Sequence, residues 1–386
     1  MKNFSLEFAF IAAILVSGGA AAETVIPDPP SVSARAYILQ DFHSGAVLAE
    51  AGADEILEPA SITKIMSVYV VFDALEHGRL KLDDKVKISE KAWRNPDVLN
   101  WDQGSRMFAE VGSLVRVDDL LHGMIVQSGN DATVALAERI AGSEEKFVEL
   151  MNEYAERLGL AGTNFLNSTG WPVEGHHSTA RDLATLSRAL IRDFPNYYSL
   201  FSEKHYTYNN ISQANRNSLL WKDPTVDGIK TGHTETAGYC VTASAQRGSM
   251  RLIVVVMGAE DMQSRTRSSL ELLDYGFNFY ETHKLFSAGK VLRESRIWKG
   301  DDSQVELGPA QDFYVTIPRG EYTNLEPSMT VKKSIFAPVK KDQELGQIRV
   351  ELNGEMIQEQ PLVALHDVGR GNLVRRMLDH VLYLVK

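Results

Sequence analysis

The chain has 386 residues, 44% hydrophobic and 24% charged, a balance that leaves room for two globular domains and excludes a disordered protein. Its formal net charge of −11 removes nucleic acid from the candidate partners, because phosphate recognition needs a basic surface. A single cysteine, Cys240, excludes an internal disulfide framework, and its place in the apolar run Tyr239 to Ala245 marks it as a buried strand residue.

Lys2, an apolar stretch from Phe8 to Val16 and the small residues Ser17 to Ala22 read as an export signal over residues 1–22, with a mature chain beginning near Glu23. The stretch falls well short of the ~20 residues of a membrane span, which argues for cleavage rather than an uncleaved anchor. Ala34 to Asp41 and Ala46 to Glu50 then read as a hairpin turned at His43-Ser44-Gly45. Pro59 to Gly78 is helical and apolar nearly all round, the mark of a helix buried in a core, with Gly78 as its stop.

Helical patterns follow over Val117 to Val126, Ala132 to Ile140, Glu144 to Leu158 and Ala180 to Ile191. Strands return over Val226 to Thr231, Gly238 to Ala245 and Met250 to Met257, and Ser268 to Tyr280 closes the unit as a helix. The class implied for residues 23–280 is α+β, an antiparallel sheet with helices between its early and late strands. Residues 281–365 change to short strands: Val305 to Leu307, Phe313 to Ile317, Met329 to Val331, and Gln347 to Leu352 with an Asn353-Gly354 hairpin turn. That texture predicts a small all-β domain without a cluster of His, Cys and carboxylates.

Residues 366–386 end in an amphipathic helix. At about 100° per residue, Leu373, Val374, Met377, Leu378, Val381, Leu382, Leu384 and Val385 share one half of Gly371 to Lys386. Arg375, Arg376, Asp379, His380, Tyr383 and Lys386 take the other. Such a helix is too short and charged to span a bilayer, so it lies in a membrane interface or docks on another domain; its terminal position and basic lean favour the membrane surface.

Chemistry concentrates in three short motifs: Ser61-Ile62-Thr63-Lys64, Ser128-Gly129-Asn130 and Lys230-Thr231-Gly232. Pro59 can open a helix, leaving Ser61 in its first turn and Lys64 three residues on over the same face. A serine hydroxyl needs a base, and a lysine serves as one only when burial or a nearby cation lowers its pKa; Lys230 could be that cation. Ser128-Gly129-Asn130 falls between two helices, where Ser128 would relay protons and Asn130 would hold a substrate amide; capping of the second helix by Asn130 or Asp131 is compatible with these roles.

Lys230-Thr231-Gly232 ends a strand, with Gly232 leaving room for an extended peptide alongside. The N–H groups of Ser61 and His233 form a natural oxyanion-hole pair. His176 and His177 are adjacent and lack a third ligand, so no metal is expected.

With Glu58-Pro59-Ala60, Asn215-Arg216-Asn217, Leu219-Leu220-Trp221, Val226-Asp227-Gly228-Ile229 and His176 to Asp182, these motifs are joint features. On them the chain resembles the low-molecular-mass penicillin-binding proteins of the serine-type D-alanyl-D-alanine carboxypeptidase family. The resemblance implies a penicillin-binding/β-lactamase-like transpeptidase domain and an acyl-serine enzyme that removes the terminal D-alanine from peptidoglycan pentapeptides. It implies no cofactor, stem peptides ending in D-Ala-D-Ala as substrate, β-lactam antibiotics as acylating inhibitors, and a place at the periplasmic face of the cytoplasmic membrane. By position Arg216 and Arg265 correspond to arginines near the cleft that, with Thr231, would meet a terminal carboxylate; Arg267 competes with Arg265.

The nearest rivals are a β-lactamase or an endopeptidase on the same scaffold, and a non-catalytic wall-binding scaffold. A Glu149-x-x-Asn152 pair exists, but the wheel puts Glu149 on the solvated face with Glu153 and Glu156. No Gly-x-Ser-x-Gly elbow supports a Ser-His-Asp hydrolase.

Overall fold

A computed structural model describes residues 26–94 and 104–384; the expected export signal over residues 1–22 lies outside them. Ala36–Asp41 (β1) and Val47–Ala51 (β2) form the expected hairpin. Val226–Thr234 (β3), Gly238–Arg247 (β4) and Met250–Ala259 (β5) complete a five-stranded antiparallel sheet in the order β2-β1-β5-β4-β3. From Leu252 to Met257 strand β5 is apolar without interruption, because both of its faces are covered. Ile253, Val255 and Met257 join a core built around the helix Lys64–Glu76 (α1), while Leu252, Val254 and Val256 meet Leu272 and Leu273 from the helix Met262–Phe279.

Between β2 and β3 the chain inserts the helices that build one wall of a cleft, among them Val117–Ile125 (α2), Asn130–Ala141 (α3), Glu144–Arg157 (α4) and Ala180–Asp193 (α5). The helix Met262–Phe279 (α6) starts six residues before the expected Ser268, because Asp261 caps it by accepting from the Ser264 N–H at 2.6 Å. Its polar first turns (Gln263, Arg265, Arg267) conceal the helix from an apolar-period reading.

Tyr280–Phe286 (β6) follows α6 without a linker and pairs with Phe313–Pro318. The remaining strands, including Arg293–Trp298, Gln304–Pro309, Leu325–Val331, Glu344–Leu352 and Glu355–Ala364, form a six-stranded sheet around Val305, Leu307, Ile348, Val350 and Leu362. The two units are joined at buried Asp41, which accepts from the Ser44 N–H at 2.7 Å and from the Thr282 hydroxyl at 2.7 Å. His43 stacks on Tyr314 across the same junction, 4.5 Å between ring centroids.

The last described helix, Leu373–Leu384 (α7), docks one side on the β-domain and leaves its other side exposed. Its stripe at Arg375, Asp379 and Tyr383 faces the β-domain. Buried Asp379 accepts from Arg296 at 3.1 Å and from the Lys299 N–H at 2.6 Å, Arg375 donates to the Asp301 carbonyl at 2.9 Å, and Tyr383 sits edge-on to Trp298 and Phe336. Leu373, Val374, Met377, Leu378, Val381 and Leu384 stay exposed on the outer side. Among the described residues no helix is long and apolar enough to cross a membrane.

Candidate active site

Ser61 does not sit in the first turn of α1. It lies on a preceding 3-10 turn, Ala60–Thr63, entered through Ala60 at φ +48°, a left-handed conformation that costs a non-glycine residue of order 1 kcal/mol or more. Two glycines explain how the turn is held. A Cβ on Gly170 would collide with the Ala60 carbonyl oxygen, and one on Gly232 would lie 2.9 Å from the Pro59 oxygen and 3.0 Å from the Ser61 nitrogen. The missing side chain of Gly232 is therefore needed by the serine turn itself, a requirement separate from the room expected for a peptide.

Lys64 heads α1, is completely buried, and directs its Nζ to three oxygens: Ser61 Oγ at 3.1 Å, Asn130 Oδ1 at 2.8 Å and the Thr169 carbonyl at 2.7 Å. Burial pushes its pKa well below the ordinary lysine value, and the nearby charges of Lys230 and Arg216 push it further. Lys230 is itself buried and donates to the Thr231 carbonyl at 3.1 Å; burial, then Arg216 and Arg265, bring its pKa down to about 7.

Ser128 occupies the loop between α2 and α3, buried and at φ +59°. The loop is pinned by Gly129 N–H donating to the Gly123 carbonyl at 2.9 Å and Asn130 N–H donating to the Ser105 carbonyl at 2.8 Å. Neither residue is the N-cap of α3, although Asp131 Oδ1 accepts from the first-turn Ala132 N–H at 2.9 Å. Gly129 is the N-cap of α3, Asn130 Oδ1 receives Lys64, and buried Asp131 takes the Met107 and Ala109 N–H groups at 2.9 and 3.1 Å, tying a neighbouring loop down.

Lys230-Thr231-Gly232 lies inside β3 rather than at its end, with Lys230 opposite Thr242 and Gly232 opposite Cys240 on β4. His233 follows, exposed, its ring 4.0 Å from that of Tyr239. Arg265 is 5% exposed and donates to the Cys240 carbonyl at 3.4 Å, whereas Arg267 faces solvent. Arg216 is exposed, with Nε donating to the Gln127 carbonyl at 3.3 Å. Ser61, Lys64 and Asn130 are thus in direct contact, Lys64 feels the charges of Lys230 and Arg216, and Lys230 those of Arg216 and Arg265.

The family profile described as D-alanyl-D-alanine carboxypeptidase matches residues 23–261, and that of the C-terminal domain of penicillin-binding protein 5 matches residues 280–370. The chain belongs to the D-alanyl-D-alanine carboxypeptidase family. It is 46% identical to the D-alanyl-D-alanine carboxypeptidase DacC of Escherichia coli K12, over 99% of this chain and 95% of the relative. Penicillin-binding protein 5 of Haemophilus influenzae superposes with a TM-score of 0.82 at 43% identity, covering 89% of this chain and 100% of that one. Penicillin-binding protein D2 of Listeria monocytogenes, solved in its ampicillin-bound form, superposes with a TM-score of 0.56 at 30% identity, over 65% of this chain and all of the other.

In this carboxypeptidase family member a turn over residues 167–171 completes the site, and the three motifs gave no sign of it. It touches Lys64 through a backbone carbonyl, so no side chain advertises the contact; the usable signal was Asn167 three residues before Gly170, an Asx-turn pattern. Asn167 Oδ1 accepts from the N–H groups of Thr169, Gly170 and Trp171 at 3.2, 2.8 and 3.0 Å. His176 is a structural residue: Nδ1 accepts from the Leu166 N–H at 3.1 Å, which makes Nε2 the donor to Thr63 Oγ1 at 2.8 Å.

Proposed function

We propose that the chain is a serine-type D-alanyl-D-alanine carboxypeptidase that removes the terminal D-alanine of peptidoglycan stem peptides through an acyl-enzyme on Ser61. The observation that carries this reading is the set of acceptors around Lys64. A neutral amine has two N–H groups and one lone pair. The Asn130 and Thr169 oxygens take the two N–H groups at 2.8 and 2.7 Å, which aims the lone pair at Ser61 Oγ, 3.1 Å away. Burial and Lys230 favour the neutral form, so the amine is both oriented and kept uncharged, as a base requires.

Ser61 Oγ, losing its proton to Lys64, attacks the penultimate carbonyl, and the N–H groups of Ser61 and His233 receive the oxyanion. Ser128 passes a proton to the departing D-alanine nitrogen, Asn130 Nδ2 donates to the substrate amide, and Lys230, Thr231, Arg216 and Arg265 form the field that holds the terminal carboxylate. Gly232 keeps the serine turn in register with β3. Water then releases the shortened peptide. A β-lactam, whose strained amide enters the same cleft, acylates Ser61 as an inhibitor. Solvent-exposed Glu149 offers no buried water site, which disfavours a β-lactamase.

Residues 1–22 are assigned as an export signal, and the mature chain is placed at the periplasmic face of the cytoplasmic membrane, held by the exposed apolar face of α7. Loss of residues 371–386 is expected to release the protein from membranes while soluble-peptide cleavage continues; unchanged partition would remove this anchor. The activity is tested by intact mass after brief penicillin exposure together with D-alanine release from a Lys-D-Ala-D-Ala peptide. One penicilloyl adduct, lost in Ser61→Ala, with release by the wild type is expected; no adduct and no release would leave the non-catalytic scaffold.

A further inference from the structure

Lys64 receives its third contact from a turn that reaches both ends of the Ser61–Lys64 pair. The Thr169 carbonyl meets Lys64, while Gly170, at φ +81°, packs against Ala60 so closely that no side chain fits. The residue before them, Ser168, is locked from two directions. Its carbonyl accepts from Ser67 Oγ at 2.6 Å, one turn along α1 from Lys64, and its N–H and hydroxyl donate to one oxygen of Glu144 at 3.1 and 2.7 Å. Glu144 opens α4, is 7% exposed, and holds its second oxygen 3.4 Å from Lys91 Nζ. The carboxylate is held by two donors from one serine and by the Lys91 cation, so it is fixed in place and fixes Ser168 in turn.

We propose that Glu144 is a positioning residue for the Ser61–Lys64 pair, acting through Ser168 to press the 167–171 turn against both of them. The proposal rests on the acyl-serine reading above and adds a residue outside the three motifs. The carboxylate also acts through space. Lys64 feels Lys230 from β3 and Arg216, which favour its neutral form, and Asp131 from α3 and Glu144 from α4, which favour its protonated form. Glu144 therefore has two separable effects, one geometric and one electrostatic.

The test is the pH dependence of penicilloyl-adduct formation by the full chain, compared among wild type, E144Q and S168A, with melting temperatures alongside. Both variants are expected to acylate about tenfold or more slowly at neutral pH, since small misplacement of reacting groups carries penalties of that order. Only E144Q is expected to move the acid limb to lower pH, because it alone removes a negative charge that holds a proton on Lys64. A wild-type rate and an unmoved limb in E144Q would overturn the proposal, and so would losses that merely follow a fallen melting temperature with the limb in place. If E144Q does not fold, a wild-type rate in S168A overturns it. A wild type that forms no adduct would remove the acyl-serine reading itself, a result visible before any variant is made.

Discussion

Gly232 and Ser61 are in backbone contact: a methyl group on the Gly232 α-carbon would stand 3.0 Å from the Ser61 nitrogen and 2.9 Å from the Pro59 oxygen. Both neighbours are backbone atoms and cannot rotate away. Gly232→Ala is therefore expected to shift the serine turn by a few tenths of an ångström and slow acylation by about tenfold, since small misplacement of reacting groups is costly. A penicilloyl-adduct time course measures it, and a rate within threefold of wild type would show that the turn adapts.

Lys64 and Lys230 should give the activity two pH limits of opposite sign. Below the lowered pKa of Lys64 the base is protonated, so kcat/KM falls as the medium becomes acidic. Above about 7 Lys230 loses its charge and the carboxylate loses an ionic partner, so kcat/KM falls again. Lys230→Arg should carry the alkaline limit upward, and Lys64→Arg, permanently protonated, should cost about 10²- to 10⁴-fold throughout. A profile unchanged by either substitution would rule out these assignments.

His176 sets a second pH effect, on stability instead of turnover. Burial, then the charge of His177, brings its pKa from 6.5 down to about 4, so between those values the unfolded chain binds a proton that the folded one refuses. Stability should fall as pH drops from 6.5 through 4, and His176→Gln should flatten that part of the curve while lowering the plateau above it. Melting temperatures across this window decide the point; parallel curves for the two proteins would contradict it.

Asp379→Ala removes the acceptor shared by Arg296 and the Lys299 N–H. A buried, charge-assisted contact of this type is worth about 1–3 kcal/mol, enough to undock α7 from the β-domain. Hydrogen exchange over residues 373–384 should accelerate severalfold, with hydrolysis of a soluble peptide unaffected. Exchange at the wild-type rate would mean that Tyr383 and Arg375 hold the helix without it.

Residues that act through their side-chain pattern were legible in the sequence. The apolar run Leu252 to Met257 of β5 and the three-residue step from Ser61 to Lys64 carry their own signal. What escaped was either masked by charge or made by backbone. Arg293, Glu294 and Arg296 disguise a strand of the β-domain, and Gln263, Arg265 and Arg267 hide the start of α6. The 167–171 turn contributes a carbonyl to Lys64, and Gly232 contributes the absence of a side chain, neither of which a motif scan weighs. Whether Arg265 or Arg267 turned inward was a question of helical phase, fixed only by the Asp261 cap.

Cys240 lies opposite Gly232 on the neighbouring strand, and burial raises its thiol pKa to about 11. A thiol so protonated is a poor target for oxidants and disulfide exchange. Oxygen atoms added to its sulfur would swell the sheet directly behind the serine turn, so this inertness shields the cleft geometry from an oxidising medium. It also leaves the protein chemically silent toward thiol reagents: a cysteine engineered on the outer face of α7 would be the single reactive handle, ready to report on that helix alone.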